Sequence, residues 1–181
     1  LEQVAPGGPG EQRAARGDDR HRATAVLVNN AGIVGARKPV GEVTGADMAT
    51  TYDTNVFGVV RVTHAFLSLL EAGDGPVVVN VSSGLGSLAA TADPSRVESK
   101  VMALDYNSSK TALVMITSQY AKAFPAIRFN AVDPGYTATD LNGHTGTSTV
   151  EEGAEIIVRM ASIGADGPTG GFFDKAGPVV W

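Results

Sequence analysis

The 181-residue chain contains no cysteine, which excludes a disulfide framework and a thiolate metal site and fits a reducing compartment such as the cytoplasm. Its three histidines, His21, His64 and His144, are scattered without ligand spacing, so no metal is expected and all three read as surface or packing residues. Positive charge is in deficit. With 14 Lys and Arg against 19 Asp and Glu, the formal net charge is −5 and the pI about 5.1, so the basic patch that a phosphate backbone requires is missing. No apolar run approaches the roughly 20 residues of a membrane span, and the first residues lack the charged-then-apolar pattern of a secretory leader. These absences predict a soluble, cytoplasmic protein with neither nucleic acid nor membrane as partner.

What is present fits a folded domain, since 43% of the residues are hydrophobic. Residues 1–24 stand apart: Gly7, Gly8, Pro9, Gly10, four arginines and several acids, with almost no apolar residue after Val4. No period runs through them, so they are expected to be a disordered or non-native tail, with the domain over 25–181.

Residues 25–28, Ala-Val-Leu-Val, are a short apolar run that ends in Asn29-Asn-Ala-Gly32, the pattern of a buried parallel strand breaking at a glycine. Thr44 can cap a short helix through Met48, and residues 51–70 carry Val56, Val59, Val60, Ala65, Phe66, Leu69 and Leu70 at helical spacing until Gly73 and Gly75-Pro76 stop it. Residues 76–81, rich in valine, predict a second buried strand closed by Ser82-Ser-Gly-Leu-Gly86. A loop with one helical turn is expected from 87 to 104, a helix from 106 to 122, and a third strand from 126 to 132 broken by Asp133-Pro-Gly135. The polar stretch 137–147 is long enough for a mobile substrate loop, Thr149 and Glu152 form a capping box for a helix to Ser162, and residues 170–174 supply a last short strand. Alternating strands and helices predict an α/β fold with a doubly wound parallel sheet and ligands at the carboxyl ends of its strands. The sequons at Asn80 and Asn107 fall in a core strand and a central helix, which makes glycosylation there improbable.

Tyr106 and Lys110 stand four residues apart ahead of the helical pattern Ala112, Leu113, Ile116, Tyr120. That spacing puts both side chains on one helix face, where an ammonium near the phenol favours its ionised form and makes the tyrosine a usable general acid and base. Alone, the pair equally describes two solvated residues on an amphipathic helix. It has company, however: Asn29-Asn-Ala-Gly32, Asn55, Ser82-Ser83, Tyr106 with Lys110, and Asp133-Pro-Gly-Tyr-Thr-Ala-Thr139 follow one another in the chain. In content, order and approximate spacing these motifs resemble the short-chain dehydrogenase/reductase family over residues 25–181. Five motifs in order are far more specific than any one of them. Singly, each has a plainer reading, as a helix asparagine satisfied by backbone, a turn serine or a strand exit.

The resemblance implies a Rossmann-like fold and an Asn-Ser-Tyr-Lys tetrad. Tyr106 would pass the proton to or from a substrate oxygen while hydride moves to or from the nicotinamide. Lys110 would lower the phenol pKa and hold the ribose hydroxyls, Ser83 rather than Ser82 would hydrogen-bond the carbonyl oxygen, and Asn55 would support a water chain to Lys110. Cofactor contacts carried over by the resemblance are Asn29, Ala31 and Gly32 on the adenosine side, Tyr106 and Lys110 at the centre, and Pro134, Gly135, Thr137 and Thr139 around the nicotinamide and its phosphates. Thr137 stands where the family usually has valine, and its contact is through backbone. Ser83 and Tyr106 are 23 positions apart (106 − 83), against about a dozen in the simplest members. This extra segment resembles that of the carbonyl-reductase branch, which implies a monomer and NADP(H) rather than NAD(H).

The chain departs from the family at its start. No Gly-x-x-x-Gly-x-Gly turn is present, Gly7-Gly-Pro-Gly10 has neither the spacing nor a preceding strand, and the residue that would choose between NAD and NADP is absent with it. The expected domain is therefore N-terminally truncated by about three strands, and a truncated or frame-shifted gene accounts for this and for the first 24 residues together. In the family's strand order 3-2-1-4-5-6-7 the strand at 25–28 pairs with the missing first strand, so here it is expected to be an apolar sheet edge prone to self-association. Three functions remain open: an NAD(P)H-dependent reductase of a small, mostly apolar carbonyl substrate, walled by Leu85, Tyr136, Leu141 and His144; an inactive fragment that binds a partner through the edge; and a sugar epimerase or dehydratase. The Asn-Asn-Ala-Gly motif and the short C-terminal region argue against the third.

Overall fold

Every residue of β2 (Val77–Val81) is buried, and Val77, Val78 and Val79 have no exposed surface. A strand covered on both faces needs apolar side chains at successive positions, which is why this run of valines has no period of two. In the computed structural model, which describes residues 25–181, β2 lies between β1 (Val26–Asn29) and β3 (Arg128–Val132), with β4 (Phe172–Asp174) beyond β3. These four strands are parallel. The tail expected over 1–24, with His21, lies outside the described residues.

Helices cover both faces. On one, Leu70 of α2 (Val59–Ala72) and Ala121 of α4 (Leu104–Ala123) pack with Val78, Ile127 and Phe129. On the other, Ile156 and Met160 of α5 (Val150–Ala161) pack on Val77, Val79, Val81 and Val132. Each fully buried valine contributes about 1.5–3 kcal/mol. The expected caps are in place: Thr44 and Asp47 form a capping box at α1 (Gly45–Tyr52), and Thr149 and Glu152 form one at α5.

Three features differ from the sequence expectation. The segment from 87 to 103 holds a short helix, α3 (Leu88–Ala92), and a 3-10 turn at Glu98–Lys100, more order than a loop with one helical turn. The long helix is interrupted by a π turn at Asp53–Gly58. A two-residue strand, β5 (Gly177–Pro178), folds back antiparallel on β4, its turn held by Asp174 Oδ1, which accepts from Ala176 N and Gly177 N. Two residues carry no periodic signal, so β5 was not legible.

Among the described strands β1 is an outer one. Val26 is 46% and Val28 39% exposed, and no described strand pairs with its other side. Val62, Phe66 and Leu69 of α2, the helix packed on β1, are exposed as well. Among the described residues the sheet therefore ends in the apolar edge that the sequence predicts.

Candidate active site

The carboxyl end of β2 delivers Ser82 and Ser83 to opposite tasks. Ser82 is buried and its Oγ donates to the Lys110 carbonyl at 3.0 Å, tying the strand exit to α4. The Ser83 hydroxyl accepts from Leu85 N at 3.3 Å and lies close enough to the Tyr106 phenol to bear on its titration. The turn then passes so close to α4 that a Cβ on Gly86 would lie 2.8 Å from the Lys110 carbonyl carbon, so only glycine fits there.

On α4, Tyr106 and Lys110 share a face as their spacing predicts, with Lys110 Nζ 5.6 Å from the Tyr106 ring centroid. Lys110 is only 4% exposed, and its ammonium donates to Val81 O at 2.8 Å. Burial lowers its pKa to about 8. The Tyr106 phenol moves up from its ordinary value: burial is the main cause, the nearby Ser83 hydroxyl opposes it, and the Asp133 charge adds to it. The expected depression of the phenol by Lys110 is thus not present in this geometry. The ammonium is directed at a strand carbonyl and the ring rather than at the hydroxyl.

Asn55 sits buried in the π turn, where the extra residue in the helical ladder redirects the side chain inward. Its Oδ1 accepts from Ile33 N and its Nδ2 donates to Ile33 O, both at 2.9 Å, and Nδ2 also reaches Ser109 Oγ at 3.0 Å. This grip fixes the chain just past Gly32, where a Cβ would stand 3.4 Å from both Asn55 Oδ1 and Lys110 Nζ. Asn55, Ser83, Tyr106 and Lys110 therefore form one cluster at the sheet's carboxyl edge.

The cofactor candidates divide. Gly32 and the exposed Ala31 lie at the β1 exit beside that cluster. Asn29 does not line it through its side chain, which is buried in the sheet and donates to Asn80 Oδ1 at 2.8 Å and Thr63 Oγ1 at 3.2 Å. Asn80 continues this polar line to Thr117 of α4. Pro134, Gly135, Thr137 and Thr139 follow β3 in a loop folded on itself, in which Thr137 Oγ1 donates to Pro134 O at 3.1 Å and Thr139 N to Asn142 Oδ1 at 3.2 Å. Asp133 Oδ1 accepts from Gly135 N at 3.0 Å, and burial raises the pKa of this carboxyl.

Two open grooves flank the cluster. One of about 500 Å³ is lined by Leu85, Val101, Met102, Leu104 and Asn107 among others, and one of about 340 Å³ by Ile33, Ala36, Thr51 and Leu141 among others. Of the expected pocket walls, Leu85 and Leu141 line one groove each, and Tyr136 and His144 line neither. Among the described residues no cluster of His, Cys, Asp or Glu could hold a metal ion, and no helix is long and apolar enough to cross a membrane.

The structure thus brings the β1 exit, Asn55 of the π turn, Ser83, Tyr106 and Lys110 together at one edge of the sheet. A sequence model of the family described as short chain dehydrogenase matches residues 11–149, and the chain belongs to this family of oxidoreductases. It is 33% identical over 154 residues to (+)-neomenthol dehydrogenase of Capsicum annuum, a match covering 67% of this chain and 49% of that protein. The chain thus spans about half the length of that relative. The C-signal of Myxococcus xanthus is 34% identical over 157 residues, covering 86% of this chain and 90% of that protein. Among solved structures, NADPH-bound carbonyl reductase from chicken fatty liver superposes with a TM-score of 0.74 at 26% identity, covering 87% of this chain and 66% of that one.

Proposed function

We propose that the chain is an NAD(P)H-dependent carbonyl reductase, or alcohol dehydrogenase in reverse, acting on a small, mostly apolar ketone or aldehyde in the cytoplasm. The observation that carries this reading is the buried Lys110 beneath the Tyr106 ring, its ammonium beside Gly32 and Asn55 at the β1 exit. A substrate oxygen placed between the two hydroxyls would accept from Ser83 and take its proton from Tyr106 as the carbonyl carbon becomes tetrahedral. When bound, the nicotinamide supplies the hydride to that carbon or accepts it in the reverse direction. Lys110 uses one of its three N–H donors on Val81 O, which leaves two for ribose hydroxyls at the side where Gly32 offers no side chain. Asn55 holds the β1 exit in the register that this requires. The residues fit the nicotinamide half of the cofactor. The pyrophosphate half has no glycine turn in this sequence. NADP(H) is favoured over NAD(H) by the long Ser83-to-Tyr106 segment and by the NADPH-bound relative in fold.

Titration of the purified chain with NADPH, and separately with NADH, followed by nicotinamide fluorescence, tests this. Saturable micromolar binding, tighter for NADPH, is the expected result. No binding of either nucleotide by a chain that melts cooperatively would remove the reductase reading.

The open β1 edge favours a second reading, in which the chain serves as an interaction module. Two exposed valines beside backbone groups that no described strand pairs form a template for another strand. Sedimentation is expected to show concentration-dependent self-association, and Val28→Lys is expected to reverse it by placing a charge on the edge. A well-behaved monomer at all concentrations would discard this reading.

A further inference from the structure

Two helices cross beneath the β1 exit, each with polar residues one turn apart: Thr51 and Asn55 on one, Asp105 and Ser109 on the other. They meet in register, Asn55 Nδ2 on Ser109 Oγ at 3.0 Å and Thr51 Oγ1 on Asp105 Oδ2 at 2.8 Å. Both rungs grip the same loop. Asn55 holds Ile33, and Asp105 Oδ2 accepts from Ala36 N at 2.8 Å. The first rung contains the tetrad asparagine, whereas the second uses residues that no motif had singled out.

Asp105 is 2% exposed and Thr51 fully buried, so the second rung is shielded from water. Asp105 Oδ1 accepts from Tyr106 N at 3.0 Å, which places one carboxylate between the loop, the first helix and the turn that carries Tyr106. The loop closes onto that carboxylate. Gly35 has φ +87°, and a Cβ there would stand 2.0 Å from Asp105 Oδ2. Two residues on, Arg37 Nη2 donates to Leu141 O at 2.8 Å, reaching the loop that follows Pro134-Gly135. Burial works against the charged form of Asp105, but the donated hydrogen bonds from Ala36, Thr51 and Tyr106 outweigh it and hold the carboxyl below its usual range.

We infer that Asp105 is a positioning residue: with Thr51 it locks residues 33–37 to the Tyr106 end of α4, so that the cofactor-side loop, the proton donor and, through Arg37, the substrate-side loop keep one frame. The chemistry explains the residue type. A carboxylate presents only acceptors to three donors, whereas an amide would turn an N–H toward one of them. The effect on catalysis rests on the reductase reading. The lock itself does not, and its test needs no turnover.

The bond between Arg37 and Lys38 lies in the locked loop and is a trypsin site, so native-state digestion reads the lock directly. Asp105→Asn is expected to speed cleavage after Arg37 about tenfold, with cleavage after Arg61 and Lys122 unchanged. Thr51→Val is expected to speed it less, and Thr51→Ser, which keeps the hydroxyl, to restore the native rate. Cleavage after Arg37 at the native rate in Asp105→Asn, or equal acceleration at all three sites, would overturn the inference. If Asp105→Asn does not melt cooperatively, the two Thr51 variants decide: equal rates overturn the lock, and a faster valine variant supports it. NADPH titration of the same proteins separates the two readings, because absent binding in the parent chain sinks the reductase proposal and leaves the digestion result standing.

Discussion

Tyr106→Phe is expected to lower carbonyl-reducing turnover by about 10²–10⁴-fold while leaving NADPH affinity near its native value. The substitution removes one oxygen and leaves the ring under which Lys110 lies, so it deletes the proposed proton donor without unpacking α4. The direction of the Tyr106 shift adds a second readout. Burial keeps the phenol protonated across neutral pH, so turnover in the reductive direction should be flat there and fall only as the phenol ionises in the alkaline range. In the oxidative direction the same shift leaves little phenolate at neutral pH, and turnover should climb with alkalinity. A phenylalanine variant that keeps more than about a tenth of native turnover would assign the proton transfer to another group.

Much of this site was legible because its chemistry recurs at fixed sequence distances. The four-residue step from Tyr106 to Lys110 placed both on one face, and the polar residues that end β1, β2 and β3 fell at one edge because parallel strands share a direction. That Ser83 rather than Ser82 faces the tyrosine side follows from the alternation of side chains past a buried strand: Ser82 turns in toward the Lys110 carbonyl, so its neighbour turns out. The capping boxes at Thr44 and Thr149 are local in sequence and could be read or half-read for the same reason.

What escaped the sequence depends on the crossing of distant segments. Asp105 and Thr51 are 54 positions apart, and nothing in either neighbourhood states that they touch. A signal did exist. Thr51 stands one turn before Asn55 and Asp105 one turn before Ser109, so two helices already known to meet at Asn55 carried a second polar pair in phase. The burial of the Asn29 side chain escaped for a related reason. A polar residue at a strand exit reads as ligand-facing, and only the pairing of Asn29 beside Asn80 reveals a buried amide line across the sheet. The phenol pKa was read in the wrong direction because spacing gives proximity but not aim, and the ammonium aims at Val81 O.

That aim leads to the second large effect, which concerns stability. Lys110 is buried with one hydrogen bond, and its pKa falls from an ordinary 10.5 to about 8. Below pH 8 both the folded and unfolded chains carry the proton, and the folded one holds it at a cost on the order of 3 kcal/mol. Between about 8 and 10.5 the unfolded chain keeps a proton that the folded chain has released, so stability rises with pH across that window. The raised Tyr106 pKa works in the opposite direction only above its ordinary value of 10.0, so it does not offset Lys110 between 8 and 10. Lys110→Met keeps the straight side chain, removes the buried cation and leaves the Val81 carbonyl without this donor. The net expectation is a gain on the order of 1–2 kcal/mol at pH 7 and loss of the alkaline rise, measured by urea unfolding from pH 7 to 10. A native chain whose stability does not change over that range would mean that water reaches the ammonium and that its pKa is ordinary. If the gain appears, and NADPH binding disappears with it, the lysine is held at a cost to the fold that only a ligand on its two free donors repays.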